Sequence, residues 1–186
     1  MKKWILPVLG MALILGSLCW MLVLEFQTRA DVTQCQTVAG ALEAILPERK
    51  TGLAGDALGM PILEIDGVDY AALLEVAGFG LRLPVEDGWN GGQGVPARFS
   101  GSTYGNDLIL AGRDDPQIFG FCSQVDLGQR ITITDMTGAE FTYTVVRVDR
   151  AQEARRDWLE GWDLTLFCHA AYSMEYVAVR CEAVYG

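Results

Sequence analysis

The stretch Trp162-Asp163-Leu164-Thr165-Leu166-Phe167-Cys168-His169, with its sequel Tyr176-Val177-Ala178-Val179-Arg180-Cys181-Glu182, decides how this chain folds. Apolar and β-branched residues alternate with polar ones in both, and a short polar link, residues 169–175, separates them, so the pair reads as two adjacent strands. Successive side chains of a strand face opposite sides, which puts Cys168 and His169 on different faces unless a bulge intervenes.

Working outward, the same pattern recurs. Leu108-Ile109-Leu110-Ala111 is an apolar run of strand length that ends at Gly112-Arg113-Asp114-Asp115-Pro116. Residues 129–135 and 140–148 form the plainest hairpin, with Ile131 and Ile133 alternating with threonines and Thr137-Gly138 at the turn. Residues 62–65 and 68–70 flank an Asp66-Gly67 turn, and residues 72–76 and 80–85 continue as short strands around Gly78. Residues 86–94 hold four glycines and read as a loop. A helical turn is expected over 118–125 and a charged, partly helical segment over 150–161. About eight strands at this spacing make a mainly β domain, a barrel or a sandwich.

Three stretches resemble landmarks of the sortases, the membrane-anchored cysteine transpeptidases of Gram-positive bacteria. Asn106-Asp107-Leu108-Ile109-Leu110-Ala111-Gly112-Arg113 is similar to the stretch that ends in their histidine, which reads Ala-Gly-His or Ala-Ala-His. Leu164-Thr165-Leu166-Phe167-Cys168-His169 resembles Leu-Thr-Leu-x-Thr-Cys, the strand of their nucleophile. The strand from Tyr176 resembles the one that carries their arginine. The resemblance runs from about residue 60 to 184 and implies a closed barrel. It also implies an active site whose histidine falls on Arg113 and whose cysteine falls on His169 in an ungapped match. The arginine falls on Tyr176, or on Glu175 if the link is one residue shorter. A one-residue slip would instead aim Cys168 at the cleft.

The N-terminus adds a different signal. Residues 4–24 carry no charged side chain, follow Lys2 and Lys3 and precede Glu25. At about 1.5 Å per residue a helix of that length crosses a hydrocarbon layer about 30 Å thick. A cleaved signal peptide usually has an apolar core of only ~7–15 residues. The expectation is therefore an uncleaved single-pass anchor, with residues 1–3 cytoplasmic and the rest of the chain outside the cell membrane. Residues 25–59 then form a stalk, in which Val38, Leu42, Ile45 and Leu46 suggest a short amphipathic helix before a glycine-rich linker. That helix either holds the domain off the bilayer or packs on the barrel. Residues 60–186 are the extracytoplasmic barrel.

Composition narrows the function. Fourteen basic residues stand against 24 acidic ones, a formal net charge of −10, which repels phosphate backbones and argues against nucleic acid as a partner. The chain has one histidine and no Cys-x-x-Cys pair, so neither a metal nor a cofactor is expected. Cys19 lies in the proposed span. Cys35, Cys122, Cys168 and Cys181 lie outside it, and sequence does not choose among their possible disulfide pairings.

Thioester transpeptidation needs a thiolate, an acid for the departing amine and a donor for the oxyanion. Cys168 is the candidate nucleophile, and Arg113 would favour its thiolate. Arginine keeps its proton above pH 12, however, so Arg113 cannot act as the acid. Tyr176 offers one hydrogen bond and no fixed charge; losing an oxyanion donor costs about 3–4 kcal/mol. The expected function is accordingly a membrane-anchored, sortase-like protein with impaired or lost chemistry. Such a protein would act by binding a sorting-signal peptide, a partner sortase or a pilin. The alternatives are an atypical cysteine transpeptidase or hydrolase using Cys168, and a non-catalytic structural barrel.

Overall fold

The computed structural model describes the backbone of residues 5–47, 50–51, 59–89, 94–170 and 173–185, and the side chains within them except those of 5–9, 23–32, 34 and 50–51. Helix α1 (Ile5–Ile45) is followed by strands β1 (Lys50–Thr51), β2 (Leu63–Ile65), β3 (Val68–Val76), β4 (Leu81–Asp87) and β5 (Ala97–Ser100). Then come β6 (Leu108–Arg113), β7 (Arg130–Asp135), β8 (Ala139–Ala151), the short helix α2 (Arg156–Leu159), β9 (Leu164–Ala170) and β10 (Glu175–Ala183).

Pairing closes the sheet. Walking from β8 through β10, β9, β6, β5, β4 and β3 leads to β7, which hydrogen-bonds both β3 and β8. Eight strands thus form a ring, with β1 and β2 attached to its rim. Strand spacing alone allowed a barrel or a sandwich; the closed barrel that the resemblance implied is the observed form, and closure leaves the eight ring strands without a free edge. The neighbours β4 and β5, and β6 and β9, run parallel; the other ring contacts are antiparallel.

The alternation seen in the sequence sorts side chains onto two faces. Inside the barrel Leu74, Val76, Leu108, Leu110, Ile131, Ile133, Tyr143, Leu166 and Val179 are buried in one apolar core. Burying a leucine fully is worth about 1.5–3 kcal/mol, so this core is the main source of cohesion. Outside, Ile109, Ala111, Leu159, Phe167 and Ala178 form a second, smaller buried cluster against β6, β9 and β10.

Turns follow their residues. Asp66 and Gly67 both take positive φ, 52° and 80°, as a two-residue hairpin turn between β2 and β3 requires. Between β7 and β8 the Asp135 carboxylate accepts the Thr137 N–H at 2.8 Å and the Ala139 N–H at 2.9 Å, and it also accepts a hydrogen bond from the Tyr104 hydroxyl. Asp135 is fully buried, and these donors replace the water it lost.

Three elements differ from the sequence reading. β8 runs on to Ala151, because β10 pairs along it as far as Tyr176 opposite Ala151. β5 was assigned no element in the sequence; its four residues are too few to show a period, and they are held by β4 on one side and β6 on the other. The helix expected over the stalk is the last part of one helix that starts at Ile5, since residues 25–32 contain neither proline nor glycine to stop it.

That last part packs on the barrel. Cys35, Ala39 and Leu42 are buried at helical spacing, facing β4, and Glu43 pairs with Arg82 of β4. Burial pushes the Cys35 thiol up to about 11, with Glu86 adding to it. Of the expected linker, Lys50–Thr51 pair with Ala139 and Glu140; residues 48–49 and 52–58 lie outside the described residues. Among the described residues no helix is long and apolar enough to cross a membrane. The span expected over residues 4–24 falls partly outside them, at residue 4 and at the side chains of 5–9, 23 and 24.

Candidate functional site

β9 lies between β6 and β10, and the registers fix which residues share a row. His169 is opposite Arg113 of β6 and opposite Tyr176 of β10. One row deeper, Cys168 is opposite Gly112 and Val177. The register thus puts Tyr176, rather than Glu175, beside His169. Glu175 is opposite Ala170.

The row Arg113, His169, Tyr176 sits at the end of the strands on the outer face of the barrel. Ile109 and Ala111, four and two residues before Arg113, belong to the outer cluster, as do Phe167 before His169 and Ala178 after Tyr176. Period-two alternation puts all three row residues on that face. His169 is exposed, and its ring meets Tyr176 edge-on with centroids 4.9 Å apart.

Cys168 points the other way. It is 1% exposed, sits in the barrel core and donates weakly from Sγ to the Phe119 carbonyl at 3.7 Å. The same carbonyl accepts the Cys122 backbone N–H at 3.0 Å, so the Cys168 thiol packs against the short helical turn that carries Cys122 (Gly120–Ser123). Burial, reinforced by the neighbouring Cys168 and Cys181, pushes the Cys122 thiol well up, and burial takes Cys181 to about 12. Cys35, Cys122, Cys168 and Cys181 are all buried free thiols. Gly112 keeps this layer closed: a Cβ there would lie 2.5 Å from the Phe119 ring, and Phe119 has no exposed surface.

The structure thus gathers Arg113, His169 and Tyr176 and sets Cys168 apart. Arg113 and His169 on neighbouring strands do not share a face with the thiol. No bulge between β6 and β9, or between β9 and β10, brings His169 onto the thiol's face. Among the described residues no group of three His, Cys, Asp or Glu side chains could hold a metal ion. Asp115, beside Arg113, shapes a turn: its carboxylate accepts the Gln117 N–H at 2.9 Å and its carbonyl accepts the N–H groups of Ile118 and Gly120.

Arg180 went unnoticed in the sequence. It lies two residues beyond Ala178 on the same outer face and is 1% exposed. Its guanidinium donates to the carbonyls of Trp158 and Leu159 at the end of α2, the latter at 3.1 Å, and to Thr165 Oγ1 at 3.2 Å. It also pairs with Asp149 at 3.3 Å and lies 4.6 Å from the Trp158 ring centre. Arg180 therefore caps the last carbonyls of α2 and holds that helix and Trp158 against the outer cluster. Desolvation lowers the guanidinium from its ordinary value, and the Asp149 hydrogen bond opposes the shift. The period-two pattern from Tyr176 was the available signal, since it puts Arg180 on the site face.

A closed eight-stranded barrel is also the fold of solved sortases. Sortase C1 from Streptococcus agalactiae superposes with a TM-score of 0.55 at 19% identity, covering 67% of this chain and 72% of that one. A Group B Streptococcus pilus island 1 sortase C2 gives 0.54 at 13%, covering 84% and 98%. A Clostridium perfringens sortase D5 transpeptidase gives 0.53 at 16%, covering 61% and 78%. No family model and no curated protein sequence matches the chain. The chain has the sortase fold.

Proposed function

We propose that this chain is a membrane-anchored, sortase-like protein of the Gram-positive cell surface that no longer performs thioester transpeptidation and acts by binding a peptide or a partner sortase. One observation carries the reading: Cys168 is 1% exposed and faces the core, while its neighbour His169, on which the ungapped resemblance puts the nucleophile, shares the outer row with Arg113 and Tyr176. Arg113 in the histidine's place cannot protonate a departing amine. Tyr176 in the arginine's place brings a hydroxyl and no charge. A reaction that runs through a cysteine thioester lacks its thiol, its acid and its cationic clamp here.

Anchoring is supported by α1, which continues unbroken from Ile5 to Ile45 and leaves Leu13, Leu15, Trp20 and Met21 more than 60% exposed. A run of exposed large apolar side chains on one helix needs a covering medium, and the uncharged stretch of residues 4–24 fits a bilayer.

The test is a cleavage and ligation assay on the full-length chain in detergent, with peptides carrying sorting motifs, beside Cys168→Ala. The reading expects no turnover above buffer in either protein. Turnover that disappears in Cys168→Ala would favour the atypical cysteine enzyme instead.

A further inference from the structure

We propose that Cys122 and Cys168 are a disulfide pair: on oxidation their two buried thiols close into one bond that staples the turn after β6 to strand β9. Such a bond does not depend on whether the outer row binds or catalyses. The sequence leaves open how Cys35, Cys122, Cys168 and Cys181 would pair, and all four are reduced in this structure.

The fold chooses one pair. Cys168 is opposite Gly112 on β6, and the missing side chain there lets Phe119 lie against the strand, where a Cβ would come within 2.5 Å of its ring. Phe119 leads into the turn Gly120–Ser123, which packs on β9 and β10. Its carbonyl takes the Cys122 backbone N–H at 3.0 Å and the Cys168 Sγ at 3.7 Å, and the Cys122 and Cys168 thiols hydrogen-bond each other. A disulfide holds its sulfurs about 2.05 Å apart, so two thiols already in contact have little further to travel. The other cysteines are placed differently. Cys181 is opposite Leu164, four residues along β9 from Cys168, or about 13 Å, beyond the ~7 Å between Cα atoms that a disulfide tolerates. Cys35 lies on α1 near Glu86 and Tyr70.

The oxidant is a small-molecule disulfide such as oxidised glutathione. One protein thiol gives its proton to solvent and attacks a sulfur of the reagent, which leaves as one glutathione thiol; the second protein thiol attacks the mixed disulfide and releases the other. Two protein thiols are oxidised and one glutathione disulfide is reduced. Burial pushes the Cys122 thiol well up, so its thiolate is scarce while the core is closed. Exchange therefore waits for the turn to lift, and four residues of helical turn open at lower cost than β9, which is paired on both edges. Once made, the bond ties the segment that follows Arg113 to the strand that carries His169.

The experiment starts from the full-length chain in detergent, purified under dithiothreitol. After the reductant is removed, the chain is incubated with oxidised glutathione at pH 8, at room temperature and again a few degrees below its melting transition. It is then denatured in iodoacetamide, digested without reduction and mapped by mass spectrometry. A cross-linked peptide should join Cys122 to Cys168, with Cys35 and Cys181 alkylated. The melting temperature should rise by several degrees, because the bond constrains the unfolded chain. In Cys122→Ala the oxidant should leave Cys168 alkylated alone and the melting temperature unmoved. Kept under reductant, the parent should show both cysteines alkylated once the barrel unfolds. Cross-links from Cys122 or Cys168 to any other cysteine, or both thiols free after the two incubations, overturn the pairing.

Discussion

The two faces of β9 present a contrast between neighbours in the chain. Inside, Leu164, Leu166, Cys168 and Ala170 meet a packed core that excludes water from a thiol. Outside, Phe167 is buried in the smaller cluster with Phe99 and Trp158 packed against it, and His169 stands exposed at its end. A shift of one residue in register would exchange the two sets. The parallel pairing with β6 and the antiparallel pairing with β10 both hold the same register, so two independent ladders put the imidazole outward. What the outer row can do chemically is thus set by which of two adjacent residues the barrel buries.

The most drastic way to break the contrast is to restore a complete site on the outer row. On the proposed reading, the triple substitution Arg113→His, His169→Cys and Tyr176→Arg should create cysteine-dependent cleavage of a sorting-motif peptide that the parent is expected to lack. The gain should span several powers of ten over the parent, measured as initial rate, because nucleophile, acid and oxyanion donor all return together. The variant that omits His169→Cys should stay inert even with Cys168 present.

Next in size come changes on the two faces. Leu166→Ala, inside, should lower unfolding stability by about 3 kcal/mol in a denaturant titration, the usual cost of a cavity left by a fully buried leucine. Arg180→Ala, outside, removes the donors for two α2 carbonyls and the partner of Asp149. It should cost about 2–3 kcal/mol, with Asp149 at 16% exposure limiting the loss, and should speed hydrogen exchange in residues 156–163 first. If Arg180→Ala loosened the interior strands before α2, the account of Arg180 as the anchor of the outer flank would be wrong.

The smallest effect concerns Glu86 of β4, whose carboxyl is raised above its ordinary value by desolvation. A carboxyl with a raised pKa in the folded state favours its neutral form there. Its ionisation therefore subtracts stability as pH rises through the folded pKa, and the loss is absent below the ordinary value near 4.5. Glu86→Gln should raise the melting temperature slightly at pH 7 and leave it unchanged at pH 4. An equal gain at both pH values would assign the effect to packing.

Much of this was legible beforehand because period-two alternation reports burial directly. Leu164, Leu166, Ile131 and Ile133 announced an inner face, and the Asp66-Gly67 and Thr137-Gly138 turns announced hairpins. Arg113, His169 and Tyr176 were singled out by resemblance, and their juxtaposition needed the registers of three strands, two of them brought together across more than fifty residues. Closure of the barrel depends on β3 meeting β7, a pairing that no local pattern encodes. Arg180 was missed because a charged residue in a strand reads as solvent-facing, whereas here Trp158 and α2 cover it. β5 was missed because four residues carry too little pattern to separate from a loop.

The central claim is that the barrel buries the thiol of Cys168, next to His169 of the outer row, and native alkylation tests it most directly. The full-length chain in detergent is treated with iodoacetamide at pH 7.5 and Cys168 is followed by peptide mass spectrometry, with and without denaturant. The account predicts that Cys168 stays unmodified until the barrel unfolds, in step with Cys122 and Cys181. Rapid modification of Cys168 in the folded protein, while Cys122 and Cys181 stay protected, would contradict it.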